Sequence, residues 1–444
     1  MPTPPDLILS TRRRPPRLPR RLAHFDLDTF FVAVERTLNP DLIGKPVLIG
    51  GRDGRGVVAA ASYESRVFGC HSAQPMSQAL RLCPQAIVIP PHRTEYNRVS
   101  NLFHELLRDA SPIVESVGID EAYVDFTGAT LTPDIDPTPN LSIAATIAEQ
   151  VRIRVRDELH IAVSVCIAGS RTTAKVGSDR AKPDGLIEVP LGQDAAFLAG
   201  FPIRELPMVG PKFAEALRTA GVTTIGDIAN LDPRWLENCF GRQGVVLYEH
   251  ANGRDVTPIR TGVRPNRSIS CENTFDEDVT DARKLHGTIA GHAQRVGTDL
   301  RKASKRARTV TLKLRWHNFE TLTRSRTLNR PVQSTAGLLE AGQQLLDEIL
   351  GTSSPPVADT AGGPSRQVMD SRSGQLNPRS IRPVRLIGLG ATNLVDDELQ
   401  LELEDLLSAP LGQPFGGELL EDVIDQTIDD INTRFGTNSV TRGL

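Results

Sequence analysis

Cysteine is scarce in this chain and nowhere closely paired. Cys70, Cys83, Cys166, Cys239 and Cys271 are the only five, and no two stand at CxxC spacing. That excludes a familiar zinc module and suits free thiols in a reducing compartment, so a cytoplasmic protein is expected. Long apolar runs are missing as well: none approaches the length of a membrane span, and no membrane contact is expected. Arg12-Arg13-Arg14-Pro15-Pro16-Arg17 has charge but no apolar stretch after it, so it does not read as a secretory signal. Internal repeats are lacking too. So is a net excess of either charge: the formal balance is −3, which by itself predicts no polyanion partner.

That balance hides an uneven distribution. Between Arg301 and Arg330 ten Lys/Arg stand against one acid, Glu320, whereas Val395 to Asp430 holds twelve Asp/Glu and no Lys/Arg. The basic segment points to nucleic-acid contact and the acidic tail to solvation or partner contact. At 444 residues the chain is too long for one core and divides into several domains. From Leu22 to about Pro91 strands and helices alternate, with Val47–Gly50 and Val57–Ala61 strand-like and Ser77–Leu82 a short helix. Tyr96–Ala110 carries Val99, Leu102, Phe103, Leu106 and Leu107 at 3–4 spacing, which predicts an amphipathic helix. A second long helix is expected over Ile143–Leu159 and a buried strand over Ile161–Ala168. This order predicts a mixed sheet with helices on one face, of the split βαβ type. From Pro202 the pattern turns to short helices with glycine turns. From Arg267 it turns to alternating strands such as Val310–Trp316, with a helix over Thr335–Leu350. Thr352–Pro378 is Ser/Pro/Gly-rich and reads as a mobile loop. Pro383–Leu389 resumes as a strand, and Leu419–Phe435 reads as an amphipathic helix.

Three acids stand out. Asp26 lies in Ala23-His24-Phe25-Asp26-Leu27-Asp28, and Asp120-Glu121 opens a run that continues Ala122-Tyr123-Val124-Asp125. Each sits in or beside a short apolar stretch that reads as a buried strand. A carboxylate there is costly to ionise unless something pairs with it. Taken singly, each is an ordinary strand-end acid; together they suit divalent metal. Mg²⁺ takes carboxylates plus substrate phosphates, and a pair of such ions clamps an in-line phosphoryl displacement.

Leu206-Pro207-Met208-Val209-Gly210-Pro211-Lys212-Phe213 reads as a helix-hairpin-helix. Its Val-Gly turn leaves a helix N-terminus open to phosphate, with Gly210 and Lys212 as DNA contacts. Such contacts are blind to sequence. Phe240-Gly241-Arg242-Gln243-Gly244 is a similar turn. Later, Lys313 and Arg315 share one face of a strand, as do Arg324 and Arg326. The two strands together are expected to set a basic stripe on one side of a sheet, binding DNA in a strongly salt-dependent way.

In this order the motifs, with Thr29-Phe30-Phe31, Ala61-Ser62-Tyr63-Glu64-Ser65-Arg66 and Thr173-Ala174-Lys175 through Lys182-Pro183-Asp184-Gly185, resemble the Y-family translesion DNA polymerases. The likeness is to the DinB-type bacterial branch and covers residues 22 to 397. It implies that Asp26, Asp120 and Glu121 are catalytic metal-binding carboxylates, with the Leu27 carbonyl a further ligand to two Mg²⁺ ions. Glu121 falls near the primer 3′-hydroxyl, and Asp28 is a structural acid. Phe31, otherwise an ordinary core residue, becomes the steric gate against a 2′-hydroxyl. Tyr63, Arg66 and Lys175 become contacts to the incoming triphosphate, while Lys182-Pro183-Asp184-Gly185 is a turn. Gly118, Cys166 and Ser170-Arg171 depart from the family's usual Ser, Gly and Asn-Lys, and none of these removes a metal ligand.

The implied fold is α+β, a multidomain right-hand polymerase. A disordered basic arm (1–21) precedes a mixed-sheet palm (22–29 and 94–188) interrupted by small fingers (30–93). A helical thumb with the helix-hairpin-helix follows (189–260), then a β-rich little finger (267–397) with a mobile insertion at 352–380, and an acidic tail (398–444). The implied activity is template-directed, low-fidelity translesion synthesis on primer-template DNA with dNTPs. No proofreading is expected, because no exonuclease-like acid cluster is visible. A monomer is expected, with weak binding to a sliding clamp: Gln400-Leu401-Glu402-Leu403 lacks the aromatic anchor of a full clamp motif. A non-catalytic DNA-binding or scaffold relative would have lost a metal ligand, whereas Asp26, Asp120, Glu121, Lys175 and Arg66 are all present. A nucleotide cyclase with a similar palm would need neither the hairpin nor the basic sheet.

Overall fold

Strand β1 (Leu22–Leu27) has no exposed side chain, although only alternate positions are consistently apolar. Ala23, Phe25 and Leu27 face one way, His24 and Asp26 the other, so both faces of its sheet must be covered. The computed structural model describes residues 18–51, 55–131, 138–139, 141–262, 265–351, 381–397, 417–436 and 439–440. The run Arg12–Arg17, the stretch 352–380 and Gln400 lie outside these described residues. The chain divides into two compact units, 1–263 and 264–444. Among the described residues no helix is long and apolar enough to cross a membrane.

In the first unit β1 is followed by α1 (Phe30–Leu38), β2 (Val47–Ile49), β3 (Ala60–Ala61), α2 (Tyr63–Arg66), α3 (Met76–Leu82), β4 (Ile87–Ile89) and α4 (Arg93–Ala110). Then come β5 (Val114–Ser116), β6 (Glu121–Asp125), α5 (Ile143–Leu159), β7 (Val163–Ala168), α6 (Arg171–Ala181) and β8 (Leu186–Glu188). Five short helices end the unit: α7 (Asp194–Leu198), α8 (Pro211–Thr219), α9 (Ile225–Ala229), α10 (Pro233–Phe240) and α11 (Arg242–Ala251).

The main sheet has the order β5-β6-β1-β7-β8, with β1 antiparallel to both neighbours and β7 parallel to β8. Register puts Phe25 beside Ala122 and Val165, and this face packs on Val99, Phe103 and Leu107 of α4 and Val151 and Val155 of α5. Full burial of each such side chain contributes about 1.5–3 kcal/mol. Leu102, grouped with that apolar stripe by its spacing, is instead 37% exposed, at the margin of the buried face. The expectation of helices on one face only is corrected by α6. It packs on the other face, where Ala174 joins Tyr123 and Cys166 in a second small core. Gly177 permits this approach, since a Cβ there would stand 2.2 Å from Cys166 Sγ.

The second sheet has the order β3-β2-β4 and its own small core around Leu48, Val58, Met76 and Ala79. Strand β3 is shorter than the Val57–Ala61 run suggests. Val57 bridges Pro75, and Val58 exchanges backbone hydrogen bonds with Ala73 and Gln74, so the start of that run pairs away from β2. Helices α7 to α11 share a core of Leu198, Ile203, Leu206, Leu217, Ile228, Leu236 and Leu247. At the hairpin turn the left-handed residue is Met208 (φ 75°), not Gly210. Gly210 instead caps α8 in extended conformation with open space where a Cβ would be.

The second unit runs β9 (Ser268–Val279), α12 (Ala282–Lys302), β10 (Lys305–Trp316), β11 (Thr321–Val332), α13 (Thr335–Leu350), β12 (Val384–Asp396) and α14 (Gly417–Phe435). Its antiparallel sheet has the order β11-β10-β12-β9. Val310, Leu312 and Leu314 face α12 and α13 across a core with Ile289, Val296, Leu338 and Leu345. The opposite face carries Thr311, Lys313 and Arg315 beside Thr323 and Ser325 of β11.

Register corrects the single basic stripe. Arg324 stands opposite Leu312 and Arg326 opposite Val310, and directly paired residues point to the same side of a sheet. Arg324 and Arg326 therefore project on the helix side, away from Lys313 and Arg315. Arg326 accordingly bonds Gln344 and Glu348 of α13. The acidic tail meets the basic segment directly. Arg301 reaches Asp429 (2.7 Å) and Asp425 (3.2 Å), and Arg306 reaches Asp422 (2.7 Å).

Candidate active site

Asp26, next to last in β1, pairs with Glu121, the first residue of β6, while Leu27 N–H donates to the Asp120 carbonyl at 2.9 Å. Strand pairing alone thus brings together three carboxylates and the Leu27 peptide from segments some ninety-five positions apart. Helix α6 lies over the same face, begun by Ser170, whose hydroxyl accepts from Thr173 N–H as an N-cap. It delivers Lys175, whose ammonium stands 2.9 Å from Asp26 Oδ2 and 2.7 Å from Glu121 Oε2. Lys182, just past the helix, lies 2.9 Å from Asp26 Oδ1.

Two cations on one buried carboxylate set its chemistry. Burial would push Asp26 upward, but Lys175 and Lys182 outweigh it and hold the carboxyl below its ordinary value. Asp120 goes the other way. Burial, then the charges of Asp26 and Glu121, raise it, and a backbone hydrogen bond at Asp120 and the charge of Lys175 compensate only in part. The ammonium of Lys175 is raised in turn: burial opposes its charge, and Asp26 and Asp179 prevail. Asp28 is committed to structure. Its carboxylate accepts from Ser164 Oγ (2.9 Å) and Asp184 N–H (2.6 Å), tying the end of β1 to β7 and to the turn after Lys182.

Phe31 lies on the first turn of α1, half-buried against Phe30 and Tyr96. Tyr63 and Arg66 share the single turn α2, the guanidinium 5.2 Å from the Tyr63 ring centroid and bonded through Nε to the Ala61 carbonyl. The Tyr63 hydroxyl is buried without a hydrogen-bond partner among the described residues. Burial, then the charge of Asp28, pushes it up to about 12, so it remains a neutral donor. An open cleft of about 460 Å³ joins Tyr63 to Asp28, Thr29, Arg36 and Pro183. Gly210 and Lys212 stand apart from this cluster, at the start of α8. Lys313, Arg315, Arg324 and Arg326 belong to the second unit.

Two residues at the carboxylates carry a signal that motif reading alone does not bring out. Lys182 reads as part of a turn, although it follows Lys175 by about two helical turns. His24 lies in the Ala23–Asp28 run with no role assigned to it, yet its i, i+2 relation to Asp26 places it on the same strand face.

Residues 25–179 match the impB/mucB/samB family and residues 266–403 the C-terminal domain of that family. DNA polymerase IV of Dehalococcoides mccartyi is 35% identical over 428 residues, 96% of this chain and 97% of the relative. DNA polymerase IV of Streptomyces coelicolor is 37% identical over 376 residues, covering 84% of this chain and 71% of that one. Among solved structures, a Y-family DNA polymerase chimera aligns over 85% of this chain and 99% of its own, with TM-score 0.68 and 24% identity. An insertion ternary complex of Dbh DNA polymerase covers the same shares with TM-score 0.55 and 23% identity. Similarity that runs through both units and covers 97% and 71% of these two relatives places the chain among the Y-family translesion DNA polymerases, with the DNA polymerase IV group.

Proposed function

We propose that this chain extends a primer on a template strand by nucleotidyl transfer from dNTPs, with Asp26, Asp120 and Glu121 at the reacting centre. The observation that carries the reading is the convergence of Lys175 and Lys182 on Asp26 and Glu121. Positive charge is required at that point, and lysine supplies it. The main sheet with α4 to α6 serves as palm and the β2–β4 part as fingers. Helices α7 to α11 serve as thumb and the second unit as little finger.

Y-family polymerases use divalent metal, and the donor set fits one. It is all oxygen, as Mg²⁺ prefers, and Asp120 is raised by burial and then by the charges of Asp26 and Glu121, which a cation would offset. Among the described residues no three acid, His or Cys groups already stand as a ligand cluster, and Lys175 bonds both Asp26 and Glu121. The Asp26, Asp120 and Glu121 carboxylates and the Leu27 carbonyl would hold two Mg²⁺ ions. When bound, such ions stabilise charge on the transferring phosphoryl group and ease loss of the proton from the attacking hydroxyl.

The chain's own residues do the positioning. Lys175 and Lys182 neutralise the carboxylates before substrate arrives and turn to the triphosphate when it enters, where Arg66 offers a planar fork. The free Tyr63 hydroxyl donates to the same group. Phe31, braced by Tyr96, closes the space beside the sugar C2′. Positioning and charge neutralisation of this kind account for most phosphoryl-transfer catalysis. Small fingers leave the nascent pair loosely enclosed, which suits low fidelity without proofreading. Lys212 at the open N-terminus of α8, and Lys313 and Arg315 on the open sheet face, hold DNA through phosphates.

Asp120→Ala or Glu121→Ala should abolish primer extension with primer-template affinity nearly unchanged. Extension by either variant at the parent rate would overturn the assignment.

A further inference from the structure

A fully buried imidazole stands beside Glu121 and has no part in the chemistry above. His24 shares the strand face of Asp26, with Tyr123 edge-on to its ring at 4.6 Å. Its Nδ1 lies 2.8 Å from Ser178 Oγ on α6. Its Nε2 is buried without a hydrogen-bond partner among the described residues, 3.6 Å from Glu121 Oε2.

The hydrogen-bond inventory decides which nitrogen carries the proton. A neutral imidazole has one N–H to place. With the proton on Nδ1, Ser178 accepts it and passes its own hydrogen to the Lys175 carbonyl at 2.9 Å. A bare Nε2 lone pair then opposes a carboxylate away from water. With the proton on Nε2, Ser178 donates to Nδ1 and the N–H dipole meets the negative oxygen. The Lys175 carbonyl loses little, since a helical carbonyl at that position also accepts the N–H four residues on. The second arrangement leaves neither ring nitrogen opposed to a like group.

We propose that His24 is a positioning residue for Glu121: its Nε2–H, oriented through Nδ1 by Ser178, steers the Glu121 carboxylate when Lys175 turns to the triphosphate. This rests on the role given to Glu121 above. Lys175 is the side chain that now holds Glu121 Oε2, at 2.7 Å. Once the lysine follows a phosphate, His24 is the remaining side-chain donor near that oxygen among the described residues. Partners that orient ligating carboxylates matter roughly as much as the ligands' own geometry.

The test compares His24→Phe, His24→Asn and His24→Gln in the full-length chain. Phe keeps the ring volume without nitrogen; the Asn amide reaches the Nδ1 position and the Gln amide the Nε2 position. His24→Phe and His24→Asn should each lose about 10- to 100-fold in the single-turnover extension rate. Mn²⁺ binding without DNA, followed by electron paramagnetic resonance, should weaken in parallel, while the dNTP KM and primer-template affinity stay unchanged. His24→Gln should stay within about threefold of the parent in both readouts. The proposal is overturned if His24→Phe matches the parent, if Asn and Gln behave alike, or if the losses follow melting temperature instead of the Nε2 donor. Glu121→Ala run alongside separates the failures. Retained extension there ends the reading of the site, whereas a dead Glu121→Ala with indifferent His24 variants ends this inference alone.

Discussion

Phe31 lies flat against Tyr96, with ring centroids 4.3 Å apart and planes 13° from parallel. Tyr96 is itself fixed, because its hydroxyl donates to Glu35, a buried carboxylate that also takes His92 Nδ1 at 2.8 Å. Aromatic stacking of this kind contributes about 0.5–1.5 kcal/mol beyond area burial. It removes the rotational freedom that would let Phe31 swing aside, and the steric gate proposed for Phe31 depends on that rigidity.

Phe31→Ala should therefore raise ribonucleotide use relative to dNTPs by about 100-fold or more, as expected when discrimination is a matter of space and not of hydrogen bonding. Tyr96→Ala keeps Phe31 but unbraces it, and should give an intermediate ratio. Competitive incorporation of dNTP and rNTP opposite one template base reads both. An unchanged ratio in Phe31→Ala would return that side chain to the core.

Asp120 couples stability to pH in a direction opposite to Asp26. Its carboxyl titrates above the ordinary 3.8 in the fold. The stability it contributes is full below that ordinary value and is lost as pH rises through the raised one. At neutral pH it stands ionised beside Asp26 and Glu121 at a cost. Without divalent cation, Asp120→Asn should raise the melting temperature by about 2–4 °C near pH 7. That gain should vanish as pH falls below about 4. Scanning fluorimetry across this range checks the sign, and Mg²⁺ should stabilise the parent more than the variant.

Opposite faces of the second unit's sheet should behave differently toward DNA. Lys313→Glu combined with Arg315→Glu should weaken duplex binding alike for unrelated sequences. It should also lower the slope of log affinity against log salt by about 2. Arg324→Glu with Arg326→Glu should cost less affinity and more stability, since Arg326 is bonded to α13. Fluorescence anisotropy over a salt series distinguishes the pairs. Equal effects would mean that DNA reaches both sides of the β11 edge.

The C-terminal helix should prove part of the second unit's fold. Asp425, 2% exposed, accepts from Arg301 and from Thr335 N–H at the start of α13. Asp425→Ala leaves both donors short of an acceptor in a buried place, which should cost about 2–4 kcal/mol. Removing residues 417–444 should lower the melting temperature further. Extension without a clamp, assayed well below either transition, should persist. A truncation with an unchanged melting temperature would show that α14 contributes nothing to the fold.

Much of the local architecture is legible in the amino-acid sequence. Helix α5 spans Ile143–Leu159 as its pattern predicts, and α4 differs from Tyr96–Ala110 only in a first turn begun at Arg93. Such elements follow from 3.6-residue periodicity and caps, which are written within a few neighbours. The acids can also be singled out, because a carboxylate in a run such as Ala23–Leu27 is anomalous wherever the strand ends up.

Only the tertiary structure decided what those acids touch. Asp26 meets Glu121 through strand register. Lys175 and Lys182 arrive by the packing of α6 on a sheet face for which the sequence pattern predicts no cover, and the same packing brings Ser178 to His24. The separation of Lys313 and Arg315 from Arg324 and Arg326 is the same lesson. Within one strand the alternation of side chains is local and readable. Which residue stands opposite which depends on turn geometry and core packing, and a one-residue slip would move a whole strand's charges to the other face.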